Sequence, residues 1–285
     1  MKALIVGSKG QLGSALVATA PADVALFAYA SDTLDITDAA GVMAAVQVAQ
    51  PDVIINAAAY TAVDKAESEE RKAFAVNATA VGTLADAARS VGARFVHVST
   101  DFVFDGMAGV PYAPTAATNP VSAYGRTKLA GEALAGSDAL VMRTGWVYGP
   151  QGGNFVRTML RLMAERPEVR VVADQIGTPT YAPGLAGALW KLARQAVQGI
   201  HHYSDAGAAS WYDFAVAIQE EALALALLKK AVPVIPIGTA DFPTPARRPH
   251  YSVLDKGTTF AALGSPSPHW RTSLRTMLSE INTHG

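Results

Sequence analysis

Tyr124 and Lys128 stand four residues apart in the run Ser122-Ala123-Tyr124-Gly125-Arg126-Thr127-Lys128. On a helix, positions i and i+4 share a face, so a phenol and an ammonium at this spacing can serve one site. A nearby cation favours the tyrosinate, which predicts a Tyr124 pKa below the ordinary value of about 10 and a better proton donor at neutral pH. A surface helix is the plain alternative, since Tyr-x-x-x-Lys arises by chance in many proteins. A second hydroxyl separates the two. Residues 94–99 read as a strand rich in β-branched and aromatic residues, and it ends in Ser99-Thr100-Asp101. Two O–H groups converging on one oxygen are what carbonyl reduction requires.

The elements that must position these groups alternate strand and helix from the first residues. Residues 2–6 read as a buried strand running into Gly7-Ser8-Lys9-Gly10-Gln11-Leu12-Gly13, with an amphipathic helix from Leu12 to about Ala20. Strand, glycine turn and helix together let backbone N–H groups at a helix start receive a pyrophosphate. An ordinary strand–helix turn has the same look, but this one opens an alternating β/α pattern. The second strand, 24–28, carries Ala28-Tyr29-Ala30-Ser31 at its tip. An acid there would select NAD by binding the ribose hydroxyls, and an arginine would favour a 2′-phosphate. Neither is present, so NADPH is admitted and NADH is not excluded. Asp35-Ile36 can meet the adenine, or Asp35 can serve as a helix N-terminal acid ahead of 38–49.

Residues 51–56 form a third expected strand leading into the small residues Ala57-Ala58-Ala59-Tyr60-Thr61, which allow close ligand approach. A helical stretch with Asp64, Glu67 and Asn77 follows, and 139–144 completes the strand series. Beyond Gly149-Pro150 the pattern changes to a helix over 154–165, a strand over 169–173 and helices over 183–196 and 211–230. Glu220-Glu221 reads as a solvated face, and the Ala/Leu alternation of 223–228 as buried helix. Prolines then recur, and Thr244-Pro245-Ala246-Arg247-Arg248-Pro249 brings two arginines together. Guanidinium forks suit phosphate recognition, although two solvated loop arginines would look the same. The expected fold class is α/β, a doubly wound parallel sheet over 1–150, to which some later segments return, and a smaller region over 151–285.

Bulk properties narrow the partners. With a net charge of −1 and no basic block, nucleic acid has no electrostatic support here. The absence of cysteine removes disulfide, zinc–thiolate and thiol chemistry. No apolar run reaches membrane-spanning length, and the first segment lacks the features of a signal peptide, so a cytoplasmic protein acting on a small molecule is expected.

Gly10-Gln11-Leu12-Gly13, the run from Asn56 through Tyr60-Thr61 to Glu67, Ser99-Thr100-Asp101-Phe102-Val103-Phe104-Asp105-Gly106 and Tyr124-Gly125-Arg126-Thr127-Lys128 are together specific. So are Arg143-Thr144-Gly145-Trp146-Val147-Tyr148, Asn154-Phe155 and Pro243 to Pro249. In this order, over nearly the whole chain, they resemble the dTDP-4-dehydrorhamnose reductase family of extended short-chain dehydrogenases. The resemblance implies a Rossmann-type domain followed by a smaller C-terminal domain that holds the nucleotide-sugar. The implied reaction is reduction of the C4 ketone of dTDP-4-dehydro-6-deoxy-L-mannose to dTDP-L-rhamnose by NADPH, with NADH also admitted. Thr100, Tyr124 and Lys128 are the implied catalytic residues. Gly7, Gly10, Gln11, Leu12, Gly13, Asp35, Ile36, Ala59, Tyr60 and Thr61 are assigned to the cofactor, which Tyr124 and Lys128 also touch. Thr100, Asp101, Trp146 and Asn154 fall on the substrate side, and charge alone assigns Arg247 and Arg248 to the diphosphate.

Three positions depart from the family pattern. Phe102 replaces a common tyrosine, and Gly145 stands where serine is frequent. Ala15 replaces a glutamate that some members use in a magnesium-linked dimer, so no metal is expected, and the chain is expected to be a monomer or weak homodimer. A reductase of another nucleotide-4-keto-sugar is the alternative from the same fold. A non-catalytic NADP-binding regulatory subunit is the alternative from another class.

Overall fold

Buried on both faces, the strands of an all-parallel sheet are apolar along nearly their whole length. Lys2–Val6, Val53–Asn56 and Leu140–Thr144 have that character. In the computed structural model, which describes residues 1–284 and so leaves Gly285 of the 151–285 region outside it, they form the middle of a six-stranded sheet. The order is Gly199–His202, Leu140–Thr144, Arg94–Thr100, Val53–Asn56, Lys2–Val6, Ala25–Tyr29, with every neighbouring pair parallel. After the second strand the chain crosses back, so the order reverses between Lys2–Val6 and Val53–Asn56. Ligands of open α/β sheets bind at such a switch point, beyond the C-terminal strand ends.

Helices cover both faces, as the doubly wound expectation requires. Gln11–Ala18 and Ala182–Arg194 share one core with the sheet, and the Trp190 indole donates to the Leu16 carbonyl across it at 3.2 Å. Ala39–Ala49 and Ala80–Ser90 cover the other face. The helix Ala182–Arg194 and the strand Gly199–His202 therefore join the sheet from the later half of the chain. A separate core joins the helices Phe155–Glu165, Trp211–Ala224 and Trp270–His284 with Val169–Val172, which pairs with Val234–Ile237.

Several sequence expectations change. The helix expected over 211–230 stops at Ala224, because Ala226 takes a left-handed conformation and Leu227 and Leu228 both donate back to the Ala222 carbonyl. The 223–228 alternation is thus a helix end rather than a buried helix. Glu221 is not solvated: it is buried under Arg271 and Arg275 of the C-terminal helix. Asp64 and Asn77 do not share one regular helix. Val63–Ala66 is a single turn, and Glu70–Phe74 runs into Ala80–Ser90 through a π-helical stretch, Ala75–Thr79. Among the described residues no helix is long and apolar enough to cross a membrane.

Candidate active site

The sheet's C-terminal edge opens onto a cleft of about 750 Å³. One end is built from main chain. Gly7 holds φ +80, where glycine is at ease, and a Cβ on it would lie 2.6 Å from the Ala58 nitrogen. A Cβ on Gly13 would come within 2.0 Å of the Gly7 carbonyl oxygen, so helix and turn touch more closely than any side chain permits. Gly10 caps Gln11–Ala18 with no side-chain hydrogen bond. The first-turn N–H groups, which lack intrahelical acceptors, stay available at the cleft. These features fit a dinucleotide pyrophosphate. Every residue expected at the cofactor end lines the cleft except Gly13, which acts by packing under Gly7. Asp35 is not the helix cap; that is Asp38, while Asp35 accepts from the Thr37 nitrogen and hydroxyl at 2.9 and 2.7 Å.

Segment 57–61 forms the middle of the cleft and is clamped by two asparagines. Asn56 Oδ1 accepts from the Ala58 nitrogen at 3.0 Å. Buried Asn77 spans both backbone groups of Tyr60 and donates to the Thr127 hydroxyl of the catalytic helix at 3.1 Å. That asparagine sits in the π-helical stretch, a rare geometry that is frequent at functional sites.

Side chains build the other end. Ser122 caps the helix Ala123–Ala135 by accepting from the Gly125 nitrogen, and Glu67 accepts from Ala123 at 2.8 Å. The helix start then presents Tyr124 and Lys128 to the end of strand Arg94–Thr100. The Thr100 hydroxyl stands near enough to Tyr124 to pull its pKa down, and it donates to Asp101 Oδ1 at 3.1 Å. Phe102, where a tyrosine is common, meets the Tyr124 ring edge-on at 5.6 Å. Lys128 is buried, and its Nζ donates to the Val98 carbonyl at 2.7 Å. Asp101 is buried against Gly145, where a Cβ would stand 2.6 Å from its carboxylate, so a serine would displace the acid. Trp146 takes φ +51 and stacks on Trp211 at 3.5 Å with the two ring planes nearly parallel. Asn154 caps Phe155–Glu165 and approaches Gln11 across the cleft at 3.5 Å.

The electrostatics correct one expectation. The Tyr124 pKa is not lowered by Lys128. Burial pushes it up to about 12, with the Thr100 hydrogen bond pulling down and the Asp101 charge adding to the rise. Burial likewise brings Lys128 down to about 8, against the favourable charge of Glu132. Desolvation sets the direction of both shifts, and the phenol–ammonium attraction that spacing suggested contributes to neither. Asp101 rises to about 6, again mainly by burial, opposed by hydrogen bonds from Ser252 and Thr100.

Arg247 and Arg248 do not reach this cleft. Arg248 pairs with Asp64 at 2.9 Å and lines a second cavity of about 770 Å³ that also includes Phe155, Trp211 and Phe242. Arg247 is exposed, and no ion pair or hydrogen bond engages its side chain among the described residues. Sequence reasoning also passed over Glu132, Arg143 and Trp211. Glu132 had a usable signal, because it continues the Tyr124–Lys128 face by four residues, and Arg143 is a lone charge in an apolar strand. Trp211 had none, since its partner lies 65 positions away (211 − 146).

A sequence profile described as the RmlD substrate binding domain matches residues 1–283. The chain is 43% identical to a dTDP-4-dehydrorhamnose reductase from Burkholderia thailandensis, over 95% of this chain and 96% of that one. A solved dTDP-4-dehydrorhamnose reductase from Clostridium acetobutylicum superposes with a TM-score of 0.92 at 39% identity, covering 99% of both chains. Another from Bacillus anthracis, in complex with NADP, gives 0.93 at 36% identity, over 98% of this chain and 99% of that one. Glycine turn, converging hydroxyls and end-to-end similarity agree: the chain belongs to the dTDP-4-dehydrorhamnose reductase family.

Proposed function

We propose that this protein reduces the C4 ketone of dTDP-4-dehydro-6-deoxy-L-mannose to dTDP-L-rhamnose with NADPH. The observation that carries this reading is the meeting of Thr100, Tyr124 and Lys128 at one end of a cleft whose other end is a glycine-built helix start. The nicotinamide, when bound, supplies hydride to C4. Thr100 donates a hydrogen bond to the ketone oxygen and holds it toward the phenol. Tyr124, fully protonated at neutral pH with a pKa of about 12, passes its proton to that oxygen as negative charge develops. Lys128 as ammonium binds the nicotinamide ribose at this end of the cleft. Gly7, Gly10, Gln11 and Leu12 receive the pyrophosphate, and Asp35, Ile36 and segment 59–61 line the adenosine and ribose path. Asp101 accepts from a sugar hydroxyl, and Trp146, backed by Trp211, packs on the deoxysugar with Asn154 at its border. Arg248, beside the second cavity, is assigned to the nucleotide end of the substrate by its charge alone.

Residues 1–150, with the returning helix and strand, act as the cofactor-binding region, and most of 151–285 holds the nucleotide-sugar. The working form is a cytoplasmic monomer or weak homodimer without a bridging metal.

The test is turnover of the keto-sugar generated in situ from dTDP-glucose, with the product identified. dTDP-L-rhamnose is expected; a different deoxysugar would reassign the substrate while keeping the chemistry. In Tyr124→Phe, kcat should fall about 10²–10⁴-fold, the usual worth of general acid catalysis, with NADPH affinity unchanged. Near-normal turnover in that variant would remove Tyr124 from its role.

A further inference from the structure

We infer that His97 is a positioning residue for the cofactor: its Nδ1, as an acceptor, fixes which way the Asn56 amide faces, and that amide fixes the main chain walling the pyrophosphate turn. This rests on the dinucleotide reading of the cleft and adds a residue that never touches the ligand. His97 lies in the middle of Arg94–Thr100, fully buried. It is the register partner of Asn56, the equally buried last residue of Val53–Asn56. Neither side chain lines the cleft. The Asn56 Nδ2 stands 3.1 Å from the His97 Nδ1, while the Asn56 Oδ1 accepts from the Ala58 nitrogen at 3.0 Å. Ala58 in turn packs on Gly7, where a Cβ would come within 2.6 Å of the Ala58 nitrogen and 2.7 Å of its Cα. Sheet interior, amide and glycine turn are thus joined in three steps.

Donor and acceptor roles follow by elimination. A backbone N–H can only donate, so the Ala58 nitrogen requires the amide oxygen. That leaves the amide nitrogen, also a donor only, for His97. Nδ1 must therefore be bare, and the single proton of the neutral ring sits on Nε2. Burial favours that neutral ring and holds the His97 pKa well below the ordinary 6.5, with the Lys128 charge adding to the fall. Nε2 has no hydrogen-bond partner among the described residues. An apolar side chain of similar bulk would leave no buried donor unmet. The imidazole gives up a hydrogen bond at Nε2, and what it supplies in return is the acceptor at Nδ1. In the other tautomer, an Nδ1–H would face the amide nitrogen. The amide would have to flip, and two donors would then meet at Ala58.

Long-range proton–nitrogen NMR correlation of the histidine rings at neutral pH reads the tautomer directly, and His97→Asn identifies which of the 6 histidines is His97. A protonated Nε2 and a bare Nδ1 are expected; a protonated Nδ1 overturns the assignment. His97→Leu keeps bulk and removes the acceptor, whereas His97→Asn places an amide oxygen close to where Nδ1 stood. NADPH dissociation constants from titration calorimetry should rise about tenfold in His97→Leu, within the range for leaving one buried donor unpaired. They should stay close to wild type in His97→Asn. At saturating NADPH, kcat and the KM for the keto-sugar should be unchanged in both, so that the loss falls on the KM for NADPH alone. Asn56→Leu should weaken NADPH binding to a similar degree, and adding His97→Leu to it should bring no further loss. Unchanged affinity in His97→Leu, or equal losses in His97→Leu and His97→Asn, would mean that the ring merely fills space and would overturn the assignment. Should His97→Leu fail to fold, the wild-type tautomer still decides. A wild type that binds no NADPH would instead overturn the dinucleotide reading beneath it.

Discussion

Glu132 and Glu221 are both buried carboxylates gripped by arginine, yet they sit in different surroundings. Glu132 accepts from the Arg143 Nε and Nη2 at 2.9 and 2.6 Å and from the Ser99 hydroxyl at 2.5 Å. Both members of that pair are only 3–5% exposed. Glu221 takes a fork from Arg275, with both contacts at 2.8 Å, and a further bond from Arg271, but those arginines are 61% and 42% exposed. In the first case two charges lie out of water and depend on each other. In the second, one acid is covered by cations that keep their hydration. The first pair also ties together the three elements that carry chemistry. Glu132 is on the helix of Tyr124 and Lys128, Ser99 precedes Thr100, and Arg143 lies opposite Ser99 in the sheet register. The second pair fastens Trp270–His284 onto Trp211–Ala224, remote from the cleft. The same residue types thus form a positioning device in one region and a fastening in the other.

That contrast sets an order of expected effects. Glu132→Met should cost about 3–5 kcal/mol in a denaturant melt, because it strands the Arg143 charge in the interior. The double variant Glu132→Met with Arg143→Met should recover most of that loss; equal instability in both would mean that packing, not stranded charge, sets the cost. A milder change, Glu132→Gln, keeps the shape and removes the charge that raises the Lys128 pKa. The alkaline limb of the kcat–pH profile should then move to lower pH, since Lys128 loses its proton more readily. A limb that stays in place would show that Glu132 acts on structure alone.

Glu221→Gln should be the smallest effect, about 1–2 kcal/mol, because its arginines can return to water. Its pH dependence has a definite sign. The hydrogen bond from Arg275 is the main cause that lowers the Glu221 pKa to about 2 from an ordinary value of 4.5. The stabilisation is therefore complete above about pH 4.5 and lost as pH falls toward 2. The melting temperatures of wild type and Glu221→Gln should differ at pH 7 and converge near pH 2. A gap that persists at low pH would rule out the carboxylate charge as its source.

The sheet was legible because parallel strands are apolar on both faces, so Lys2–Val6 and Val53–Asn56 announce themselves within a few residues. The glycine turn and the Tyr124–Lys128 spacing were legible for the same local reason. What escaped depended on distant partners. Glu221 looks solvated until the C-terminal helix arrives, and Arg248 looks free until Asp64 meets it from 184 positions away. The direction of the Tyr124 shift escaped too, because spacing reveals a neighbour's charge while burial follows from the whole fold.

The π-helical stretch at Ala75–Thr79 carries one residue more than the regular hydrogen-bond ladder needs. Deleting a single residue there would let Glu70 through Ser90 close as one ordinary α-helix, which local energetics favours. It would also turn everything upstream by about 100° relative to the rest, the rotation of one helical residue. Asn77 and the backbone of Tyr60 would then part company. The extra residue is therefore a stored insertion: the helix gives up regularity so that the cleft has a wall, and a shortened, sturdier helix would belong to a protein with less use for its site.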